Sequence, residues 1–325
     1  MIIGHQKQWN FLKKKFELNQ LSHAYLFTGP GEIGKKRFAL DFIKLINCLG
    51  EKGKPAFAKA SAGGEECQNC KLIEQKKHPD LLMITPKDSG EEIQISQIRE
   101  VQQFLSLKPY YCSFKVVLVD EAEKMNQEAQ SCFLKTLEEP KGNTLLILIS
   151  ERPETIMPTI LSRCQTIKFF NVSRKEIKDC LAKKGASEKK SEELSGACEG
   201  KPGRAIKLFE DSEKMENEKK LLGEIQKLCD SDLALRFKYA KDLPEGGYSE
   251  AVNAFSRYFR QILLLKIGIN NFSESDYFPL PSEKLKFYSL LKIKQIIKLA
   301  ETISSRLRST NINPKLALET LLLEL

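Results

Sequence analysis

Short runs of consecutive apolar residues constrain this chain more than any other feature of its sequence. They fall at residues 24–27 (Ala-Tyr-Leu-Phe), 81–84 (Leu-Leu-Met-Ile), 116–119 (Val-Val-Leu-Val) and 144–149. A strand with one wet face alternates apolar and polar residues, whereas an unbroken run needs cover on both faces. Between the runs the apolar spacing is helical. Trp9, Leu12 and Phe16 mark a helix over 5–19, and a second is expected over 35–48. Ile95, Ile98, Val101 and Leu105 mark one over 94–107, and Pro140 ends another over 126–138. Residues 165–170 add a last short strand. Strands that alternate with helices predict a parallel sheet covered on both sides.

Past Phe170 only helical periodicity continues. Three short helical stretches are expected within 173–209. From about residue 212 the chain reads as helices, the longest at 249–267 and 284–307, with loops at 244–247 and 270–281. Residues 50–66 are rich in Gly, Ala and Lys without sustained periodicity, and read as a flexible insertion. The expected fold class is α/β plus all-α: an α/β domain over 1–170, a small helical segment over 171–210 and an all-helical domain over 211–325.

Charge narrows the function classes only a little. The net charge of +9 is spread nearly evenly on either side of Phe170, with no basic tail. Such a surface suits transient contact with DNA phosphates and equally suits simple solubility. No run of about 18 apolar residues occurs, so no membrane span is expected. The first six residues lack the basic and apolar segments of a secretion signal, and a cytoplasmic location is expected. Nine scattered cysteines, an odd number, do not read as a disulfide framework.

Directly between a strand and a helix stands Gly29-Pro30-Gly31-Glu32-Ile33-Gly34-Lys35, which fits the phosphate-loop pattern G-x-x-x-x-G-K. In such a loop backbone N–H groups and a helix N-terminus face phosphate oxygens, and Lys35 would reach the outer phosphates. The pattern then requires Ser or Thr, whose hydroxyl holds Mg²⁺, but the chain has Lys36. A protonated lysine cannot ligate Mg²⁺, on which phosphoryl transfer depends. Asp120 and Glu121 end the strand at 116–119. In a working ATPase the first would assist Mg²⁺ and the second would polarise water. The loop therefore has a nucleotide-binding shape and a damaged metal seat.

Further motifs stand in order: Ser22-His23-Ala24 before the loop, Asp120-Glu121-Ala122-Glu123-Lys124-Met125, and Leu134-Lys135-Thr136-Leu137-Glu138-Glu139-Pro140. After them come Ser162-Arg163-Cys164, Gly200-Lys201-Pro202-Gly203-Arg204-Ala205 and residues 311–323. Together they resemble the clamp-loader branch of the AAA+ ATPases over nearly the whole chain apart from 50–66. The resemblance implies an AAA+ type parallel sheet domain, a helical lid at 171–210 and a C-terminal helical collar, used for oligomerisation, at 211–325. Motor subunits of this branch, gamma and tau, carry Lys-Thr or Lys-Ser in the loop. A degenerate loop with an intact Ser-Arg-Cys resembles the delta-prime type. That type implies a subunit of the bacterial DNA polymerase III holoenzyme in DNA replication, with weak or absent ATP binding and no catalysis of its own. Its implied partners are the delta and gamma/tau subunits, with the sliding clamp and primer-template DNA met through the complex.

The resemblance also implies roles for residues. Arg163 would project into the ATP site of an adjacent subunit as an arginine finger. Ser150 and Arg204 fall where the family has sensor residues. Two other classes stay open: an ATP-hydrolysing gamma/tau-type motor or autonomous P-loop ATPase, which Lys36 disfavours, and a nucleic-acid scaffold, which the even charge disfavours. The family carries a four-thiolate zinc module, expected here at about 48–72. Cys48, Cys67 and Cys70 match three ligands, but Gly64 stands where the fourth should be. Two outcomes stay open: a three-thiolate zinc site completed by water, His78 or another group, and a decayed site.

Overall fold

Each apolar run forms a strand, and the strands pair only in parallel. A computed structural model describes residues 3–48, 67–87, 92–110, 112–140, 142–244, 246–268, 277, 288–309 and 312–325. The insertion expected at 50–66 (with Gly64) and the loop expected at 270–281, apart from Tyr277, lie outside the described residues. Strands β1 (Ala24–Thr28), β2 (Leu81–Ile84), β3 (Lys115–Val119), β4 (Thr144–Ser150) and β5 (Gln165–Lys168) form one sheet in the order β2-β3-β4-β1-β5. Helix α1 (Gln6–Glu17) precedes β1, and between the strands run α2 (Lys35–Asn47), α3 (Gln68–Glu74), α4 (Ile95–Ser106), α5 (Gln127–Glu138) and α6 (Pro158–Leu161). The short helix α3, inside the cysteine module, is not foreshadowed by periodicity.

The unbroken runs are explained by two cores. On one face Tyr25, Phe27, Val116, Leu118, Ile147 and Ile149 pack with Trp9 and Leu12 of α1 and Phe38 and Phe42 of α2. On the other, Leu26, Val117, Val119, Leu146 and Leu148 pack with Ile98 and Val101 of α4 and Phe133 and Leu137 of α5. Aromatic edges interlock on the first face, with ring centroids 5.7 Å apart for Trp9–Phe38 and 4.9 Å for Phe38–Phe169. Full burial of each such side chain contributes about 1.5–3 kcal/mol. Side-chain chemistry opens α5, where Asn126 Oδ1 accepts the Ala129 N–H at 2.8 Å.

The remaining helices are α7 (Arg174–Lys183), α8 (Glu188–Ala197), α9 (Pro202–Glu210), α10 (Ser212–Asp230), α11 (Leu233–Asp242), α12 (Gly247–Lys266), α13 (Leu290–Ser309) and α14 (Pro314–Leu323). Packing divides the chain into two units. One is Met1–Cys180 with Glu199–Arg204, and the other is Leu181–Cys198 with Ala205–Leu325. Within the second unit, α12 packs along α13 and against α10 and α14. Phe255, Tyr258, Phe259, Ile293, Ile296, Leu318 and Leu321 are buried there. Among the described residues no helix is long and apolar enough to cross a membrane.

One buried cation ties two helix ends together in this unit. Arg236, 8% exposed, donates from Nε to Leu228 O (3.1 Å), from Nη2 to Cys229 O (3.3 Å) and from Nη1 to Leu322 O (3.3 Å). These carbonyls lie in the last turns of α10 and α14, at the negative helix ends, where Leu228 O also accepts the Ser231 N–H (3.2 Å) and Leu322 O the Leu325 N–H (3.4 Å). Arg236→Met keeps an apolar stem and removes the donors. It is expected to cost about 1–3 kcal/mol, chiefly through the lost hydrogen bond to Cys229 O, since Leu228 O and Leu322 O keep backbone donors. Urea unfolding measured by circular dichroism checks this, and Arg236→Lys is expected to recover only a fraction because it loses the fork.

Candidate functional site

Parallel strands gather their functional loops at their C-terminal ends, beside the strand where connections diverge to opposite sides. Here that strand is β1, between β4 and β5. Thr28, its last residue, pairs in register with Ser150 of β4. The phosphate loop comes directly after Thr28, and Asp120 comes directly after β3, with its N–H donated to Ile84 O at 2.9 Å. Gly29, Gly31, Gly34, Lys35, Asp120, Glu121 and Ser150 thus lie at one end of the sheet. Gly34 has φ +98°, a conformation that glycine adopts without strain, and α2 starts immediately after it.

Both loop lysines are engaged by the protein. Lys35 is 5% exposed and donates from Nζ to Gly29 O (2.6 Å) and Pro30 O (2.7 Å). Burial pulls its pKa down, while the carboxylates of Glu151, Glu123 and Asp120 hold it up. Lys36 Nζ lies 2.8 Å from Asp120 Oδ2. An ammonium therefore rests on the carboxylate expected to serve Mg²⁺, and the hydroxyl ligand is absent. Near a protein surface two unit charges about 4 Å apart interact by about 4 kcal/mol, and a divalent ion beside an ammonium would meet about twice that repulsion. These residues do not fit a Mg²⁺ seat.

The other expected residues divide. Glu121, with φ +53°, is exposed and pairs with Lys124. Ser150 is fully buried and its Oγ accepts the Arg152 N–H at 3.0 Å. Arg204 is buried with Glu199 Oε2 at 3.9 Å from its Nη1, and the adjoining Gly203 N–H donates to Glu32 O of the phosphate loop at 2.8 Å. Glu151 does not stand out in the sequence, and Glu123 is there only one member of the Asp120–Met125 motif. The available signal is position alone, since Glu151 is the first residue past β4.

Arg163 is at the opposite end of the sheet. It lies two residues before β5, whose Gln165 pairs with Tyr25 and whose Lys168 pairs with Thr28. The paired strand segment that separates it from the loop spans roughly 10 Å at about 3.3 Å per residue. Its neighbours Ile160 and Cys164 are core residues, and burial pushes the Cys164 thiol up to about 12. The Arg163 side chain faces outward, 37% exposed, with Nη2 2.8 Å from Glu138 Oε1 and Nη1 donating to Thr159 O at 3.0 Å.

Three cysteines meet at the end of α2 and the start of α3. Cys48 Sγ is 3.6 Å from Cys67 Sγ and 3.5 Å from Cys70 Sγ, and the Cys70 N–H points at Cys67 Sγ at 3.5 Å. Burial first, then the neighbouring sulfurs, pushes the Cys70 thiol up. Two thiolates bound tetrahedrally at about 2.3 Å stand about 3.8 Å apart, so this triangle matches three corners of a zinc site. His78, one of the groups that sequence spacing leaves open for the fourth corner, does not supply it. It belongs to a separate buried group with Asp80 and Cys112. There His78 Nδ1 accepts the Asp80 N–H (3.0 Å) and Nε2 lies 3.3 Å from Cys112 Sγ. Asp80 in turn accepts the N–H groups of Tyr110 (2.7 Å) and Cys112 (3.0 Å). Burial pushes the Cys112 thiol up to about 12, as suits a structural residue.

A family model described as DNA polymerase III, delta subunit, matches residues 4–173. This chain belongs to that family. Among curated relatives, it is 36% identical over 176 residues to DNA polymerase III subunit delta' of Bacillus subtilis, covering 54% of this chain and 50% of that one. With subunit delta' of Pseudomonas aeruginosa it is 39% identical over 145 residues, covering 45% and 42%. The chain spans about half the length of the curated relatives it matches. Among solved structures, a DNA polymerase III gamma subunit-related protein of Thermotoga maritima aligns over 96% of this chain and 97% of its own, at 20% identity and a TM-score of 0.49.

Proposed function

We propose that this chain is a delta-prime-type subunit of a replicative clamp loader that hydrolyses no ATP itself and supplies Arg163 to the ATP site of a neighbouring subunit. The observation that carries this reading is the separation of Arg163 from the chain's own phosphate loop by the length of the β1–β5 pair. An arginine so remote serves a different nucleotide or none. It is half-exposed, held by Glu138 and Thr159, and anchored by Ile160 and Cys164, so its fork is oriented outward. A guanidinium set against a transferring phosphoryl group stabilises the charge that develops there, and such fingers are worth about 10³–10⁵ in rate. On this reading the chain acts in the cytoplasm within DNA polymerase III. It associates with delta and gamma/tau through the helical segment 211–325 and meets the sliding clamp and primer-template DNA through the assembly. Support for the family role comes from the delta' relatives.

On the same reading the three thiolates bind zinc weakly, because the fourth corner is left to solvent or an exchangeable group. The expected outcome is less than one zinc per chain after dialysis against a chelator, measured by elemental analysis. One tightly held zinc per chain would contradict it.

Arg163→Ala and Arg163→Lys test the finger. The Arg163–Glu138 pair is exposed and worth about 1 kcal/mol or less, so both variants are expected to fold and assemble. Clamp- and DNA-stimulated ATP hydrolysis by the reconstituted loader is expected to fall several-fold, with Ala at least as harmful as Lys. The loss should be partial because other sites take their arginines from other subunits. Steady-state ATPase of the loader, with circular dichroism as folding control, reads the result. An Ala variant that assembles and hydrolyses at the unmodified rate would make Arg163 a surface charge.

A further inference from the structure

The phosphate loop is met by a carboxylate of the chain's own. A methyl group placed on Gly31 would lie 2.4 Å from Glu151 Oε1 and 3.0 Å from Oε2, so both oxygens of Glu151 face the bare side of this glycine. The approach is set by the backbone. Glu151 comes after Ser150, which pairs with Thr28 immediately before the loop, and the Glu151 N–H donates to Glu123 Oε1 at 3.2 Å. Glu151 is exposed, as a group at the open side of a phosphate loop must be. It is also the foremost carboxylate acting on the buried Lys35 ammonium. Beside it, Lys36 and Asp120 form their pair at 2.8 Å.

Lys36 is paired with Asp120, while the Lys35 ammonium is held by the Gly29 and Pro30 carbonyls and feels the Glu151 carboxylate at longer range. In a loop poised for nucleotide, the glycine backbone and the lysine would face the negative oxygens of a phosphate, and Asp120 would face a metal. Here an oligophosphate would have to enter against the Glu151 carboxylate, with no divalent ion to neutralise it. We propose that Glu151 is the resident anion of this loop and Lys36 its resident cation, which makes the loop a latent oligophosphate site that opens when the Glu151 carboxylate is removed. This deepens the reading that the loop takes no part in turnover, and it assigns the cause to Glu151 as well as to Lys36.

The test uses the isolated full chain and inorganic pyrophosphate, with sodium chloride at matched ionic strength as control. A ligand that binds only the folded state raises the melting temperature. The parent chain is expected to show no rise beyond that in salt. Glu151→Gln is expected to gain a few degrees with millimolar pyrophosphate, and a further Lys35→Ala change should abolish the gain, which locates the anion in the loop. Should Glu151→Gln fail to fold, Glu151→Asp withdraws the carboxylate by one methylene while keeping its charge, and a smaller gain is expected. Equal responses in parent and variant, or no response in a folded variant, would overturn the proposal. Neither result bears on Arg163, which is read in the assembled loader.

Discussion

Strand β1 is paired on both edges and covered on both faces, and the rest of the first unit is positioned by that double burial. Its neighbours β4 and β5 take their register from it, from Ala24 opposite Leu146 to Thr28 opposite Lys168. A one-residue slip would turn Tyr25 and Phe27 into the core that Ala24 and Leu26 fill, exchanging two of the largest buried side chains for smaller ones. Because the register cannot drift, the segment leaving β1 and the segment entering β5 are held at opposite ends of the sheet. The phosphate loop and Arg163 lie in those two segments.

The two ends differ in electrostatic character. At the loop, the half-buried Lys36 is paired with Asp120 from the end of β3, and the buried Lys35 donates to the Gly29 and Pro30 carbonyls, so both ammonium groups are engaged within the chain. At the other end Arg163 is held by a single exposed carboxylate and a carbonyl. An exposed ion pair of this kind is cheap to break, so the guanidinium can be transferred to another acceptor at little cost to the fold. A buried cation such as Arg236, which satisfies carbonyls at two helix ends, has no such freedom.

Much of this is legible in the residues. Unbroken apolar runs mark the strands because burial on both faces leaves no place for polar alternation, and helical spacing marks α1, α2, α4 and α5 to within two residues. The loop and its missing hydroxyl are visible as local spacing. The illegible part depends on encounters between distant residues. Lys36 can be read as the loss of a ligand, but its seat on Asp120, 84 positions away, requires the β1–β3 arrangement. Glu151 gives no signal of its own, since a lone glutamate after a strand is usually solvated surface. His78 is open as a zinc ligand from spacing alone, but the fold turns it toward Cys112 and Asp80. Helix α3 is too short for its periodicity to stand out.

The chain's own loop lacks a working metal seat, and on the proposed reading its chemistry is exercised in a neighbour. ATP turnover by the isolated chain, measured with and without Mg²⁺, tests this most directly. Negligible hydrolysis is expected in both conditions, with no change when Lys35 is replaced by Ala. Robust Mg²⁺-dependent turnover, abolished by Lys35→Ala, would contradict it.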